Sequence, residues 1–106
     1  MVKALVADSS AAAGQAAAHL LERLGFRVAC ASGADEAMAL IAGTRPELVL
    51  ADGRIETAAG GGLIETIRRQ GWGGDLCLFH VTADGSASSI RRALDAGADD
   101  YIVKPY

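Results

Sequence analysis

Four residues capable of ionic chemistry each stand at the end of a short apolar run: Asp8 after residues 4–7, Asp52 after 48–51, Thr82 after 76–81 and Lys104 after 101–103. If those runs lie side by side and parallel, two carboxylates, a hydroxyl and an ammonium group meet in one pocket. Two carboxylates brought together repel, and each has its pKa raised unless a cation shares the site. Lys104 and a divalent ion are the candidates. A carboxylate nucleophile beside a hard-cation site, a hydroxyl and an ammonium group suits phosphoryl transfer, where catalysis is mostly positioning and neutralisation of charge on the phosphoryl oxygens.

The elements that must position these groups are legible in the chain. Residues 4–7, 28–31, 48–51, 76–81 and 101–103 are short, rich in Val, Leu and Ile, and show little polar alternation, as strands buried on both faces do. Between them lie four helix-like stretches. The first, 11–24, places Ala13, Ala17, Leu20, Leu21 and Leu24 on one stripe and stops at Gly25. The second, 33–42, follows Ser32 with Asp35 three residues later, close to a capping box, and stops near Gly43 and Pro46. The third spans 61–70 with Leu63, Ile64 and Ile67, and the fourth spans 87–96, starting after Ser86 and stopping at Gly97. Gly71–Gly74 reads as a loop. Strands alternating with helices predict an α/β fold, a doubly wound parallel sheet covered on both faces, with ligands bound beyond the carboxyl ends of the strands.

The 106 residues suit a single core. Hydrophobic residues make up 51% but aromatic ones only 5%, so Ala, Val, Leu and Ile must fill the interior. A charged fraction of 22% argues against disorder, and a net charge of −3 gives no electrostatic reason to expect nucleic-acid binding by this domain. No apolar run approaches the roughly 18 residues that span a bilayer, and Asp8 interrupts the N-terminus too early for a signal peptide. A cytoplasmic protein without membrane contact is expected. Cys30 and Cys77 read as buried small hydrophobes.

Across nearly its whole length the chain resembles the receiver domains of bacterial response regulators. The family pattern is an acidic pair after the first strand, an Asp after the third, Thr or Ser followed by Ala after the fourth, and Lys-Pro after the fifth; here these read LVADSS, LVLADGR, HVTAD and YIVKPY. Counting back from Leu24-Gly25-Phe26 puts Asp8 and Ser9 at the acidic pair, and counting forward from Asp52 puts Gly60 at the loop glycine. The resemblance implies a flavodoxin-like five-stranded sheet of order 2-1-3-4-5, one receiver domain over residues 1–106, and Asp52 as acceptor of a phosphoryl group from a histidine kinase or phosphotransfer protein. It implies that Lys104, Thr82 and the backbone of Ala83 hold the phosphoryl oxygens, and that Thr82, Ala83 and Tyr101 form the switch. It further implies that the fourth-helix and fifth-strand face meets the output partner. Mg²⁺ would be held by Asp8, Asp52 and the backbone carbonyl of Arg54. Such a domain is a switch rather than an enzyme, with at most slow loss of its own phosphoryl group. The Lys104-Pro105 peptide is expected to be cis.

The chain departs from the pattern in four places. Ser9 replaces the second acidic residue, and a neutral hydroxyl is a poor substitute for a carboxylate at Mg²⁺, so metal affinity should fall. Arg54, two residues after the acceptor, either reaches a phosphoryl oxygen or Asp8, or is a solvated loop arginine. Glu56 stands where the family has a loop proline; with four glycines, the 53–62 loop is expected to be mobile, and Glu56 reads as a loop residue sooner than as a further carboxylate for the metal. The chain stops at Tyr106, before the family's fifth helix, so an apolar strip of sheet is expected to lie bare or to be covered in a homodimer.

Other polar residues have plainer readings. His19 should face solvent, and His80 shares a strand face with Thr82 but reads as a satisfied core histidine. Asp99 and Asp100 read as a polar loop, and Arg68, Arg69, Arg91 and Arg92 as solvated helix faces, the last pair on the expected output helix. With the order 2-1-3-4-5, Cys30 and Cys77 lie about 14 Å apart, too far for a disulfide, which tolerates about 7 Å. Three rival functions remain beside the phosphoacceptor. A pseudo-receiver would keep the fold and bind proteins without phosphorylation. An aspartyl-phosphate hydrolase would carry a second Asp where Arg54 stands. Flavin binding lacks a glycine-rich cradle in the first strand-to-helix turn.

Overall fold

The structure, a computed structural model, describes residues 2–58, 60–70 and 76–104. The described residues alternate strand and helix: β1 (Lys3–Ala7), α1 (Ala11–Arg23), β2 (Arg27–Ala31), α2 (Ala34–Thr44), β3 (Leu48–Asp52), α3 (Leu63–Arg69), β4 (Cys77–Thr82), α4 (Ala87–Ala96) and β5 (Asp100–Val103). The strands form one parallel sheet in the order β2-β1-β3-β4-β5. The chain order of the first three strands reverses between β1 and β3, so their carboxyl ends open a crevice. Asp8 and Asp52 stand on its two sides. The expected cis Lys104-Pro105 peptide and the expected 71–74 loop fall outside the described residues.

The two faces of the sheet are covered unequally. One face carries α2, α3 and α4, packed through Ala37, Ile41, Leu63, Ile67 and Ala93 onto Leu5, Val49 and Leu78. The other carries α1 alone among the described helices, with Ala17 on Val6, Leu50 and Val81. Leu48, Phe79 and Ile102 are only partly buried on that face, an apolar strip of the kind expected. Deletion of large apolar contacts there should cost less than on the α2–α4 side, where the cluster is fully enclosed.

Helix boundaries follow their caps. Ser10 accepts from the Ala13 N–H at the start of α1, and Ser86 accepts from the Ser89 N–H at the start of α4. α4 ends at Gly97 with φ +117°, a conformation that favours glycine. Two expectations need correction here. In α2 the residue that reaches back is Glu36, not Asp35: its Oε1 accepts from the Ser32 N–H at 2.9 Å, and Gly33 is the N-cap. In α1 the buried stripe is Gly14, Ala17 and Ala18, whereas Leu20 and Leu24 are exposed. Small residues let the helix lie close to β1: a Cβ on Gly14 would stand 3.5 Å from the Asp8 Cβ.

The cysteines are also corrected. Both are free and exposed. β2 is an edge strand, and Cys77 is the first residue of β4. No disulfide joins them.

Candidate functional site: an acidic pocket closed by lysine and arginine

Strand ends and their first loop residues build the pocket. Asp52 closes β3, and the ladder runs one step further through the Gly53 N–H to the Val81 carbonyl at 2.9 Å. The Asp8 N–H bonds the Ala31 carbonyl at 2.9 Å, and the Lys104 N–H bonds the Thr82 carbonyl at 2.7 Å. Each ionic residue is thus fixed by its own backbone before its side chain makes any contact. Asp8 and Asp52 are both buried. Carboxylates taken from water need partners, and these have them.

Lys104 lies between the two acids, its Nζ 2.8 Å from Asp8 Oδ2 and 3.5 Å from Asp52 Oδ2. Asp8 Oδ1 accepts from the Ser10 N–H at 2.8 Å, which ties the acid to the start of α1. Ser9 Oγ stands 3.2 Å from Asp52 Oδ2 and donates to it. Arg54 grips Asp52 three ways: its N–H donates to Oδ1 at 3.0 Å, its Nε to Oδ1 at 3.4 Å and its Nη2 to Oδ2 at 3.1 Å. The same Nη2 is 4.0 Å from Asp8 Oδ1. Of the two readings of Arg54, the guanidinium on the acids is the one observed. Burial pushes the Asp52 carboxyl up, but the side-chain and backbone hydrogen bonds from Arg54, the Asp8 contact and the charge of Lys104 outweigh it. The carboxyl is held well below the usual carboxylate range.

A cleft of about 830 Å³ extends from this pocket between α3 and α4, lined among others by Thr82, Ala83, His80, Arg92 and Lys104. Thr82 Oγ1 accepts from the Asp84 N–H at 2.9 Å, so its hydroxyl sits at the cleft wall and does not touch Asp52. Tyr101 pairs in register with His80 rather than Thr82, and its side chain is exposed.

Two further expectations change. His80 is a cleft wall and not a satisfied core histidine: it is partly buried and its ring makes no hydrogen bond among the described residues. Its ring lies on Gly53, where an added Cβ would collide with Cε1. Burial holds its pKa below the ordinary value against the opposing pull of Asp52. Arg68 is not a solvated residue. Its Nε donates to the Gly97 carbonyl at 2.7 Å, Nη1 to the Leu76 carbonyl at 3.0 Å and Nη2 to Asp99 at 2.7 Å. Asp99 in turn accepts from the Leu78 N–H at 2.8 Å. Among the described residues of the 53–62 loop, Glu56 bridges Gly62, the Thr57 N–H bonds the Gly61 carbonyl at 2.8 Å, and Ile55 is buried. Gly60, at φ +87°, makes the turn.

The positions of these groups match one family over almost the whole chain: residues 4–106 fit the model of the response regulator receiver domain. The chain belongs to that family. Response regulator MprA of a Mycobacterium species (strain KMS) is 36% identical over 106 residues, covering 99% of this chain and 45% of that protein. The chain therefore spans a little under half the length of such curated relatives. The chemotaxis protein CheY4 of Vibrio cholerae superposes with a TM-score of 0.89 at 24% identity, over 100% of this receiver and 88% of that chain. A response regulator from Burkholderia pseudomallei, solved with a phosphorylated aspartic acid, a calcium ion and citrate, superposes with a TM-score of 0.83 at 25% identity, over 100% of this receiver and 61% of that chain. No helix among the described residues is long and apolar enough to cross a membrane.

Receiver domains generally bind Mg²⁺ at an acidic pocket. The donor set here does not fit that ion as arranged. Among the described residues no three His, Cys, Asp or Glu side chains cluster to hold a metal, and exposed Glu56 does not join the two acids. Asp8 Oδ2 is engaged by Lys104, and both oxygens of Asp52 are engaged by Arg54. Ser9 turns a proton toward Asp52 instead of a lone pair toward a cation.

Proposed function

We propose that this receiver accepts a phosphoryl group on Asp52 from a phosphohistidine on a partner kinase or phosphotransfer protein. The observation that carries the reading is the buried Asp52 at the end of β3 with the Lys104 ammonium 3.5 Å away, lining a cleft of about 830 Å³. Lys104 takes phosphoryl oxygens, and Thr82 leaves its turn with Asp84 to donate to one of them beside the Ala83 N–H. Tyr101, exposed on β5, follows that movement, and α4 with β5 presents the altered face to an output partner. The phosphorylated aspartic acid of the Burkholderia pseudomallei relative supports the choice of residue class. Incubation with acetyl phosphate followed by intact mass measurement tests it. A phosphoryl-sized gain in the wild type that disappears in Asp52→Ala is expected; no gain under any condition would sink the proposal.

One observation favours a second reading, a protein-binding module that needs no phosphate. Arg54, Ser9 and Lys104 already satisfy the acceptor oxygens, as a phosphoryl group's partners would. Partner binding that is unchanged by Asp52→Ala would select this reading.

A further inference from the structure

We propose that Arg54 is the resident counter-cation of this pocket and that Asp52 takes up a phosphoryl group without a divalent metal. The inference rests on the phosphoacceptor reading and says what neutralises the charge. The guanidinium reaches both acids, 3.1 Å from Asp52 Oδ2 and 4.0 Å from Asp8 Oδ1, where a bridging cation must sit. Two buried acids then face two cationic side chains, Lys104 and Arg54. A divalent ion added to that cluster would have to expel Arg54 from oxygens it already holds, and would meet a neutral hydroxyl at Ser9 in place of a second carboxylate.

Arg54 is also free to follow the reaction. Its side chain is 68% exposed, so it can shift without disturbing packed neighbours. An Asp52 carboxylate oxygen attacks phosphorus, the O–P bond forms, and the bond from phosphorus to the donor breaks. The electron pair leaves with the donor: with acetate when acetyl phosphate is used, or with imidazole, which takes a proton from water, when the donor is a phosphohistidine. Esterification removes the carboxylate charge that Arg54 was paired with and places about −1.5 to −2 on the phosphoryl oxygens. The planar guanidinium fork then pairs with those oxygens, a geometry it matches in two parallel bonds.

The test uses the full chain with acetyl phosphate in excess EDTA or in millimolar Mg²⁺, read by intact mass. Wild type should gain the group in both buffers at rates within a few-fold of each other. Arg54→Ala should lose the gain in EDTA, and Arg54→Lys should keep part of it. Beryllofluoride in EDTA gives a second readout: bound ¹⁹F resonances are expected in wild type and not in Arg54→Ala, whose fold is checked by circular dichroism. A wild-type gain that needs Mg²⁺ would overturn the proposal while leaving Asp52 as acceptor. Equal gain in EDTA by Arg54→Ala would overturn it too, and no gain in either buffer would overturn both readings.

Discussion

Arg54 and Arg68 each pair with an aspartate, at 3.1 and 2.7 Å, but at opposite ends of the strands and with the burial reversed. At the carboxyl end the acid is buried, 2% exposed, and the guanidinium lies out in solvent at 68%. At the amino end the guanidinium is the more enclosed partner, 22% exposed, against 50% for Asp99. Arg68 spends its remaining donors on the carbonyls of Leu76 and Gly97, which lie just before β4 and after α4. It therefore joins α3 to two strand starts and cannot leave without stranding backbone groups. Arg54 holds only the acids and its own turn. The same ion pair is a fixed bracket in one place and a releasable cover in the other, because what decides is how many other groups depend on the arginine.

The largest effect expected from breaking this contrast is at Arg68. Arg68→Ala should lower stability by about 2–4 kcal/mol, since it removes three charge-assisted hydrogen bonds and leaves two partly buried carbonyls without a donor. Urea denaturation followed by circular dichroism measures it. A loss below about 1 kcal/mol, the size typical of an exposed pair, would mean that the bracket is ornamental. The neighbouring contact sharpens this: a Cβ added at Gly97 would stand 2.6 Å from Arg68 Cγ, and Gly97 has φ +117° besides. Gly97→Ala should therefore be costly through both space and backbone conformation.

A smaller effect is expected at the acceptor end, where there is room to yield. Gly53→Ala drives a methyl group against the edge of the His80 ring, which borders the open cleft and can turn into it. The cost should be about 1–2 kcal/mol, typical of an overpacked site that relaxes. In a His80→Ala background the same substitution should cost nothing measurable, and the double-mutant cycle in urea reads the difference. Additive losses would place the strain elsewhere than in that ring.

These two ends also mark how far the residues alone could be read. The nine elements and the convergence of Asp8, Asp52 and Lys104 were legible because apolar runs, glycine stops and serine caps are local signals, and because parallel strands bring their ends together. The Arg68 bracket was not legible, since two of its three acceptors are backbone carbonyls 8 and 29 residues away that carry no side-chain signature. The stripe of α1 was misread because periodicity identifies a face only when large residues lead it, and here Gly14, Ala17 and Ala18 do. His80 shared a period of two with Thr82, which was the available signal for a cleft residue. Burial of the cysteines was misjudged because a strand's exposure depends on which helices cover it. The hold of Arg54 on Asp52 depends on the turn after β3, which aims the Arg54 N–H and its guanidinium at the same carboxylate.

The smallest effect on stability at neutral pH is expected at Arg54, and the clearest effect there is on titration. Asp52 has a carboxyl pKa below its unfolded value of about 3.9, so ionised Asp52 stabilises the fold above that pH, and the contribution is lost as pH falls through the folded value. Arg54→Ala removes the side-chain hydrogen bonds that oppose burial and leaves Lys104 as the cation near Asp52. The carboxyl should titrate at higher pH, and acid unfolding should begin at higher pH than in wild type. Carbon-13 NMR of the Asp52 carboxyl, with urea midpoints from about pH 3 to 7, follows both. Arg68→Ala should leave the Asp52 titration unmoved while lowering every midpoint. If it shifted the Asp52 titration as far as Arg54→Ala does, the two pairs would be coupled through the sheet, and the contrast between bracket and cover would fail.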